Sequence, residues 1–274
     1  MRDQDYAFIQ TFLKKSAAIS IDETKHYLVE SRLQPLARAE GLENLEKLVR
    51  ALRFQPTRDL ERKVVEAMTT NETSFYRDPN VFQAIEQHLI PALADRNRTS
   101  KRLRIWSAAC STGQEPYTLA MILKDHFGHL DGWKLKIVAT DIDTMVLERA
   151  KQGVYGKLAV NRGLPVKKLI RYFTKLGTEW QVKDSLKEHI TFKQMNLAQG
   201  WSVHGPFDLI LMRNVLIYFD RETKREILTR AQRLLAPDGS LMLGTAETTL
   251  SITDRYVRAK VGKAVVYRHS SKAA

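Results

Sequence analysis

The chain has 274 residues, 43% of them hydrophobic, and a formal net charge of +13. That length holds one α/β catalytic domain plus a small extra domain, and the apolar share excludes global disorder. No run reaches the roughly 18–20 apolar residues of a membrane span, and the opening MRDQDYAFIQTFLKKS is too charged for a secretory signal.

Residues 1–68 read as a helical domain. Phe8, Ile9, Phe12 and Leu13 recur at helical spacing. Ser20-Ile21-Asp22-Glu23 reads as a helix start with Asp22 as N-cap. From Lys25 to Ala39, an apolar stripe of Leu28, Val29, Leu33 and Leu36 continues past Pro35, which should kink or interrupt it. Gly41 is a C-terminal stop. Leu42–Phe54 and Leu60–Met68 make two further short helices. Residues 69–90 read as a linker, and 91–274 as a second domain.

In that second domain, Leu103–Ser107 is a strand, followed by a small-residue turn and the helix Pro116–Phe127. Lys134–Thr140 is the next strand, ending at Asp141, and a helix runs from Thr144 to Lys151. Phe207–Met212 is a buried strand and Arg221–Leu235 an amphipathic helix. Pro237-Asp238-Gly239 reads as a turn before the strand Ser240–Gly244. Such alternation means a parallel α/β sheet. Residues 156–195 interrupt it as an insertion. That insertion has a short helix at 165–169 and candidate strands at Tyr172–Thr174, Trp180–Lys183 and Ile190–Phe192.

The excess charge is local. Residues 1–68 hold 12 Lys/Arg against 11 Asp/Glu, residues 151–193 hold 10 against 3, and residues 255–274 hold 6 against none. A basic surface of that kind seeks an acidic partner or polyanion. One cysteine, Cys110, allows no internal disulfide and fits a reducing cytoplasm. No Cys/His cluster has zinc spacing, so no metal is expected. His26, His88, His126, His129, His189, His204 and His269 are scattered, and none is assigned to catalysis.

Ala108-Ala109-Cys110-Ser111-Thr112-Gly113 joins a strand to a helix and exposes backbone N–H groups at the helix start. Only Gly113 is a glycine, so the dinucleotide G-x-G-x-x-G is absent and a nicotinamide cofactor is disfavoured. An ordinary tight turn is the competing reading. Asp141 ends the next strand, where an acid can accept both hydroxyls of a ribose. The competing role, a helix N-cap, suits Asp143 better.

Four stretches closely resemble the chemotaxis receptor methyltransferase family: TNETSFYR at 70–77, IWSAACSTGQEPYTLAM at 105–121, FDLILMRNVLIYFD at 207–220 and LAPDGSLMLGTAETT at 235–249. The resemblance covers nearly the whole chain. It implies an α/β fold: a Rossmann-like S-adenosylmethionine methyltransferase domain with a small inserted β-subdomain, preceded by an all-α N-terminal domain. The implied reaction esterifies receptor glutamates and releases S-adenosylhomocysteine. Asn71, Thr73, Arg77, Glu115, Asp141, Asn196, Leu197, Arg213 and Asn214 match the family's donor-binding positions, and Tyr218 matches a tyrosine near the reactive sulfur. Arg77 and Tyr218 are the candidates for the transfer step itself. Gln114 departs from the family's usual glutamate.

The implied partner is the acidic cytoplasmic helical region of a chemotaxis receptor. Lys25, Arg32 and Arg38 match the basic docking positions of the second helix. Some family members grip a receptor's C-terminal pentapeptide tether with a long glycine-rich loop in the insertion. Here Lys175–Trp180 is short, so no tether binding is expected. A nucleic-acid methyltransferase is the rival enzyme, suggested by the pI of about 9.8. The N/D-P-P-Y/F run that base methylation would need is missing, and Arg213-Asn214-Val215-Leu216 stands in its place. Hence neither nucleic acid nor membrane insertion is expected. A donor-sensing scaffold without catalysis is the remaining alternative.

Overall fold

Four helices come first: α1 (Asp3–Ala17), α2 (His26–Ala39), α3 (Leu45–Phe54) and α4 (Arg58–Met68). The computed structural model describes residues 1–128 and 132–270, so His129 lies outside the described residues. Leu45, Leu48, Val49 and Leu52 bury one face of α3, and Asn44 caps it by accepting from Lys47 N at 3.0 Å. Ile9, Leu13, Val29, Leu33, Leu48 and Val64 are fully buried together.

Two expectations here need correction. Asp22 does not cap α2; its Oδ1 accepts from Thr24 N and Oγ1 in an Asx turn, and the helix begins at His26. Pro35 does not interrupt α2 either. Pro35 is exposed, while Val29, Leu33 and Ala37 bury the opposite face on both sides of it, so packing carries the helix past the missing N–H.

The expected linker holds more structure than a linker. After an extended stretch come α5 (Pro79–Ala84), a π-helical turn (Ile85–Leu89) and α6 (Ile90–Arg96). The α/β part follows with β1 (Arg102–Ala108), α7 (Gln114–Phe127), β2 (Lys134–Asp141) and α8 (Thr144–Gln152). The insertion contains β3 (Val154–Gly156), α9 (Lys157–Asn161), α10 (Val166–Tyr172), β4 (Phe173–Leu176), β5 (Glu179–Val182) and α11 (Asp184–Lys187). The chain then returns through β6 (Ile190–Gln194), β7 (Phe207–Met212), a 3₁₀ turn (Leu216–Tyr218), α12 (Arg221–Leu234), β8 (Leu235–Leu243), β9 (Tyr256–Val261) and β10 (Ala264–His269).

The main sheet has the order β6-β2-β1-β7-β8-β10-β9. Its first five strands are parallel, and β10 and β9 close it antiparallel. Connections leave β1 and β7 toward opposite sides, so the sheet opens a crevice beyond their carboxyl ends. The strand Ile190–Phe192, read as part of the insertion, pairs with β2 in this sheet. The small sheet, β3-β5-β4, takes its third strand from Val154–Gly156 instead, beginning two residues ahead of the expected boundary at 156. Pro237-Asp238-Gly239 lies within β8 as a bulge, where the register jumps from Phe207↔Leu235 to Leu209↔Ser240. Phe75, Tyr155 and Phe173 pack edge to face, locking the stretch after α4 and the insertion together.

Candidate functional site

The turn after β1 folds around its own N–H groups. Ala109 and Ser111 adopt left-handed φ values of 56° and 49°, and Gly113 one of 94°. A side chain at Gly113 would meet Ala150 Cβ at 2.9 Å, so α8 packs against the turn without room for one. Asp141, at the end of β2, is buried and accepts from Ser111 N at 2.8 Å and from Asp143 N at 3.0 Å. Burial raises its pKa to about 6, against the lowering effect of those N–H bonds. Asp143 caps α8, accepting from Met145 N and Val146 N. Glu66 of α4 also accepts from Thr144 N at 2.8 Å, clamping the helical domain to the same helix start.

Arg213, just after β7, is the charged centre of the site. It is buried and gives Nη1 to Glu115 at 2.7 Å and Nη2 to Asp78 at 2.6 Å and to Arg77 O at 2.8 Å. Two carboxylates therefore neutralise one guanidinium, the arrangement a buried charge requires. Its Nε is buried with no partner among the described residues. Glu115 in addition accepts from Ser107 Oγ at 2.8 Å.

All ten residues matched to the donor and the transfer step line one cleft at the carboxyl ends of β1, β2 and β7. The cleft holds about 990 Å³ counting its mouth. Asn71 donates to Asp143 Oδ2 at 2.7 Å, and its carbonyl accepts from Ser111 Oγ at 2.8 Å, so it ties the extended stretch to the turn. Asn196 donates to Ser16 O at 2.8 Å and accepts from Ala198 N, which leaves its side chain largely committed to structure. Leu197, Met195 and Ile142 give the cleft an apolar side. Thr73 is half-buried in the lining, and Arg77 donates Nη1 to Glu72 O at 2.7 Å. Burial pushes the Cys110 thiol well above its usual range, so it serves as small apolar lining. No histidine among the described residues lines the cleft.

Several contributors were not legible in the sequence. Ala17 and Ile19 line the cleft from the helical domain, held there as Ser20 N donates to Tyr218 O at 3.1 Å. Glu247 accepts four backbone N–H groups: Asn214 and Gly244 on Oε2 at 2.7 Å each, and Leu216 and Ile217 on Oε1 at 2.7 and 3.3 Å. It fixes the loop from Arg213 to Tyr218, in which Asn214 holds a left-handed φ of 58°. The stretch at 235–249 contained Glu247, but nothing in its composition marked that residue. The three docking candidates separate. Lys25 and Arg38 are exposed, whereas Arg32 donates to Met68 O, Thr69 O and Thr70 Oγ1 at 2.7–2.9 Å. Met68, Thr69 and Thr70 all line the cleft.

The family description "CheR methyltransferase, all-alpha domain" matches residues 4–69, and "CheR methyltransferase, SAM binding domain" matches residues 71–265. "Chemotaxis protein methyltransferase Cher2" of Pseudomonas putida is 39% identical over 269 residues, covering 96% of this chain and 97% of that protein. "Chemotaxis protein methyltransferase 1" of Pseudomonas aeruginosa is 40% identical with the same coverage. "Chemotaxis protein methyltransferase" of Escherichia coli is 36% identical over 93% of this chain and 88% of its own.

Proposed function

The chain belongs to the CheR methyltransferase family, an S-adenosylmethionine-dependent enzyme family of chemotaxis, and from that premise we propose how its own residues esterify receptor glutamates. The observation that carries the reading is the convergence of ten matched residues from five separate stretches of the chain on one cleft. The donor's needs fit the groups present. Asp141, buried and aligned by two N–H bonds, suits a ribose diol. Leu197, Met195 and Ile142 suit an adenine face. Arg77 has guanidinium N–H groups left for the donor's own carboxylate after its bond to Glu72 O.

Bound there, S-adenosylmethionine supplies a methyl carbon already activated by the adjacent sulfonium charge. An acceptor glutamate, with an ordinary pKa of about 4.3, is ionised at neutral pH, so no general base is required. A cleft without histidine serves such a reaction. The work of the chain is orientation, an effect on the order of 7–11 kcal/mol in favourable cases. Arg213 would pin an acceptor carboxylate and blunt its nucleophilicity if it were free. Glu115 and Asp78 neutralise it instead, and it acts as a brace between the Arg77 segment and the loop after β7. Tyr218, half-buried on that loop, orients the reacting groups at the cleft's edge.

The acceptor is the acidic helical region of a receptor. Lys25 and Arg38 are the docking charges of α2, and Arg32 instead braces Met68, Thr69 and Thr70 of the cleft wall. A tether pentapeptide is not a ligand of this chain, a reading supported by the two-residue connection Gly177-Thr178 between β4 and β5. Calorimetry with the tether peptide tests that point; a micromolar Kd would refute it. The reaction itself is tested by labelled-methyl transfer to receptor-containing membranes followed by mild base. Release of the label marks an ester. A base-stable product marks N- or C-methylation, and no transfer in a single turnover marks a non-catalytic scaffold.

A further inference from the structure

A second groove lies on the far side of the loop that Glu247 holds. Its walls are the start of α5, the exposed side of α12, the segment after β8, and the β9–β10 hairpin. Gly244 and Glu247 line it, Glu247 accepts from both Gly244 N and Asn214 N of the cleft, and Asp78 lines it beside Arg77 of the cleft. The two hollows therefore share a wall, and both open beyond the carboxyl ends of parallel strands, where sheets of this kind bind ligands. The groove holds about 2640 Å³ counting its mouth, against about 990 Å³ for the donor cleft by the same measure.

Its charge is one-sided. Arg221, Arg225, Arg255, Arg258 and Lys263 line it, and none makes an ion pair among the described residues. Arg221 and Arg225 donate to the carbonyls of Ser251 and Ile252, which shapes the loop without neutralising either charge. Of the three acids that line it, Asp78 is engaged on Arg213 and Glu247 on four N–H groups, which leaves the exposed Asp254 as one negative charge among five cations. Apolar side chains stand among the cations, with Leu250 77% and Val257 51% exposed. The aromatic liners Tyr256 and Tyr267 are buried, so no stacking platform for nucleic-acid bases is offered.

We propose that this groove seats the acidic amphipathic helix that carries the methylated glutamate, presenting that side chain across the shared wall to the donor cleft. The inference rests on the methyltransferase reading above and adds the surface that selects the acceptor. It also gives a role to the basic segment from residue 255 onward, which supplies Arg255, Arg258 and Lys263. Carboxylates on the helix meet the cations, and its apolar stripe meets Leu250 and Val257.

The test is a charge reversal on the full chain, Arg258→Glu with Lys263→Glu, both exposed residues outside the donor cleft. Methyl transfer to receptor-containing membranes is followed against acceptor concentration at low and high salt. The expected result is an acceptor KM raised about tenfold or more at low salt, a difference that shrinks at high salt. Donor Kd, Tm and kcat at saturating acceptor stay at wild-type values. A wild-type KM in the variant, with wild-type enzyme active in the same assay, overturns the groove inference alone. An inactive wild-type enzyme overturns the methyltransferase reading and the groove with it. Leu250→Asp is the second variant, and it should raise KM at both salt concentrations. Competition by a synthetic acidic amphipathic peptide supports the assignment, whereas stronger competition by a duplex oligonucleotide of equal charge refutes it.

Discussion

Replacing Glu247 with glutamine tests whether the loop after β7 is held from a distance. The carboxylate accepts from four N–H groups, two on each oxygen. A carboxamide keeps one oxygen and turns an NH2 toward the other pair, so two charge-assisted bonds are lost and two donors face a donor. Such bonds contribute roughly 1.5–3 kcal/mol each. Glu247 is only half-buried and water can reach the exposed Ile217, so the lower value applies, and the loop loses about 3 kcal/mol of support. Full coupling to donor binding would be roughly 150-fold in Kd. Partial population of the ordered loop reduces that, and a rise of about tenfold to a hundredfold is expected. The assay is calorimetric titration with S-adenosylhomocysteine, alongside hydrogen exchange of the amides of residues 214–217. Tm should fall by a few degrees at most, because the change is local. Donor affinity within about twofold of wild type, with Asn214 and Leu216 amides still protected, would refute the reasoning.

Donor affinity should depend on pH through Asp141. Its folded pKa is raised to about 6, and ribose hydroxyls need the ionised form, so Kd should rise toward tenfold per unit as pH falls below about 6. A raised acid pKa means the folded protein holds that proton more tightly than the unfolded chain. Burial of the Asp141 charge therefore opposes folding above about pH 6, and this penalty is relieved as pH falls from there toward the ordinary value near 3.8. Calorimetry and melting curves between pH 5 and 8 check both signs, and a flat donor Kd would remove Asp141 from the ribose role. Arg77→Ala should raise donor Kd about tenfold or more, by loss of a charge-assisted pair. Unchanged donor binding with slow transfer would move Arg77 to the acceptor. Arg32→Ala should weaken donor binding and lower Tm, because Met68 O and Thr69 O lose their donor. Lys25→Ala with Arg38→Ala should alter only acceptor KM, and the reverse pattern would overturn the separation of these three residues.

The extent to which the sequence foretold these features follows from where each signal sits. The later residues of β1 and β2, and most of β7, are buried on both faces and read as short runs without exposed positions, so both the strands and the turn and acid at their ends were legible. The hairpin β9–β10 was not read, although Val257, Ala259 and Val261 alternate with Arg258 and Lys260; β9 is the charged edge of the sheet, and so short an alternation is a weak signal. Helices α5 and α6 were hidden by Pro79 and Pro91, which stand in first turns where proline is tolerated. Ile190–Phe192 showed a strand period, but period alone does not say which neighbour a strand joins.

The same distinction runs through the charged residues. Lys25, Arg32 and Arg38 look alike along α2, and spacing could at most say which of them share a face. What separates them is the C-terminal end of α4, whose last carbonyls lack intrahelical donors and carry the negative end of the helix dipole. Arg32 reaches Met68 O and Thr69 O there and is half-buried, while the other two remain in solvent. Glu247 is the mirror case: an acid that answers orphaned N–H groups of a loop some thirty residues away. In both, the partner is backbone from a distant segment, which has no residue type of its own to be recognised. A charge in this chain is therefore free to meet a receptor only where no unfinished helix end or loop has already claimed it; in the groove Arg258 of β9 and Lys263 of the β9–β10 turn meet that condition, whereas Arg221 and Arg225 of α12 are already bonded to loop carbonyls.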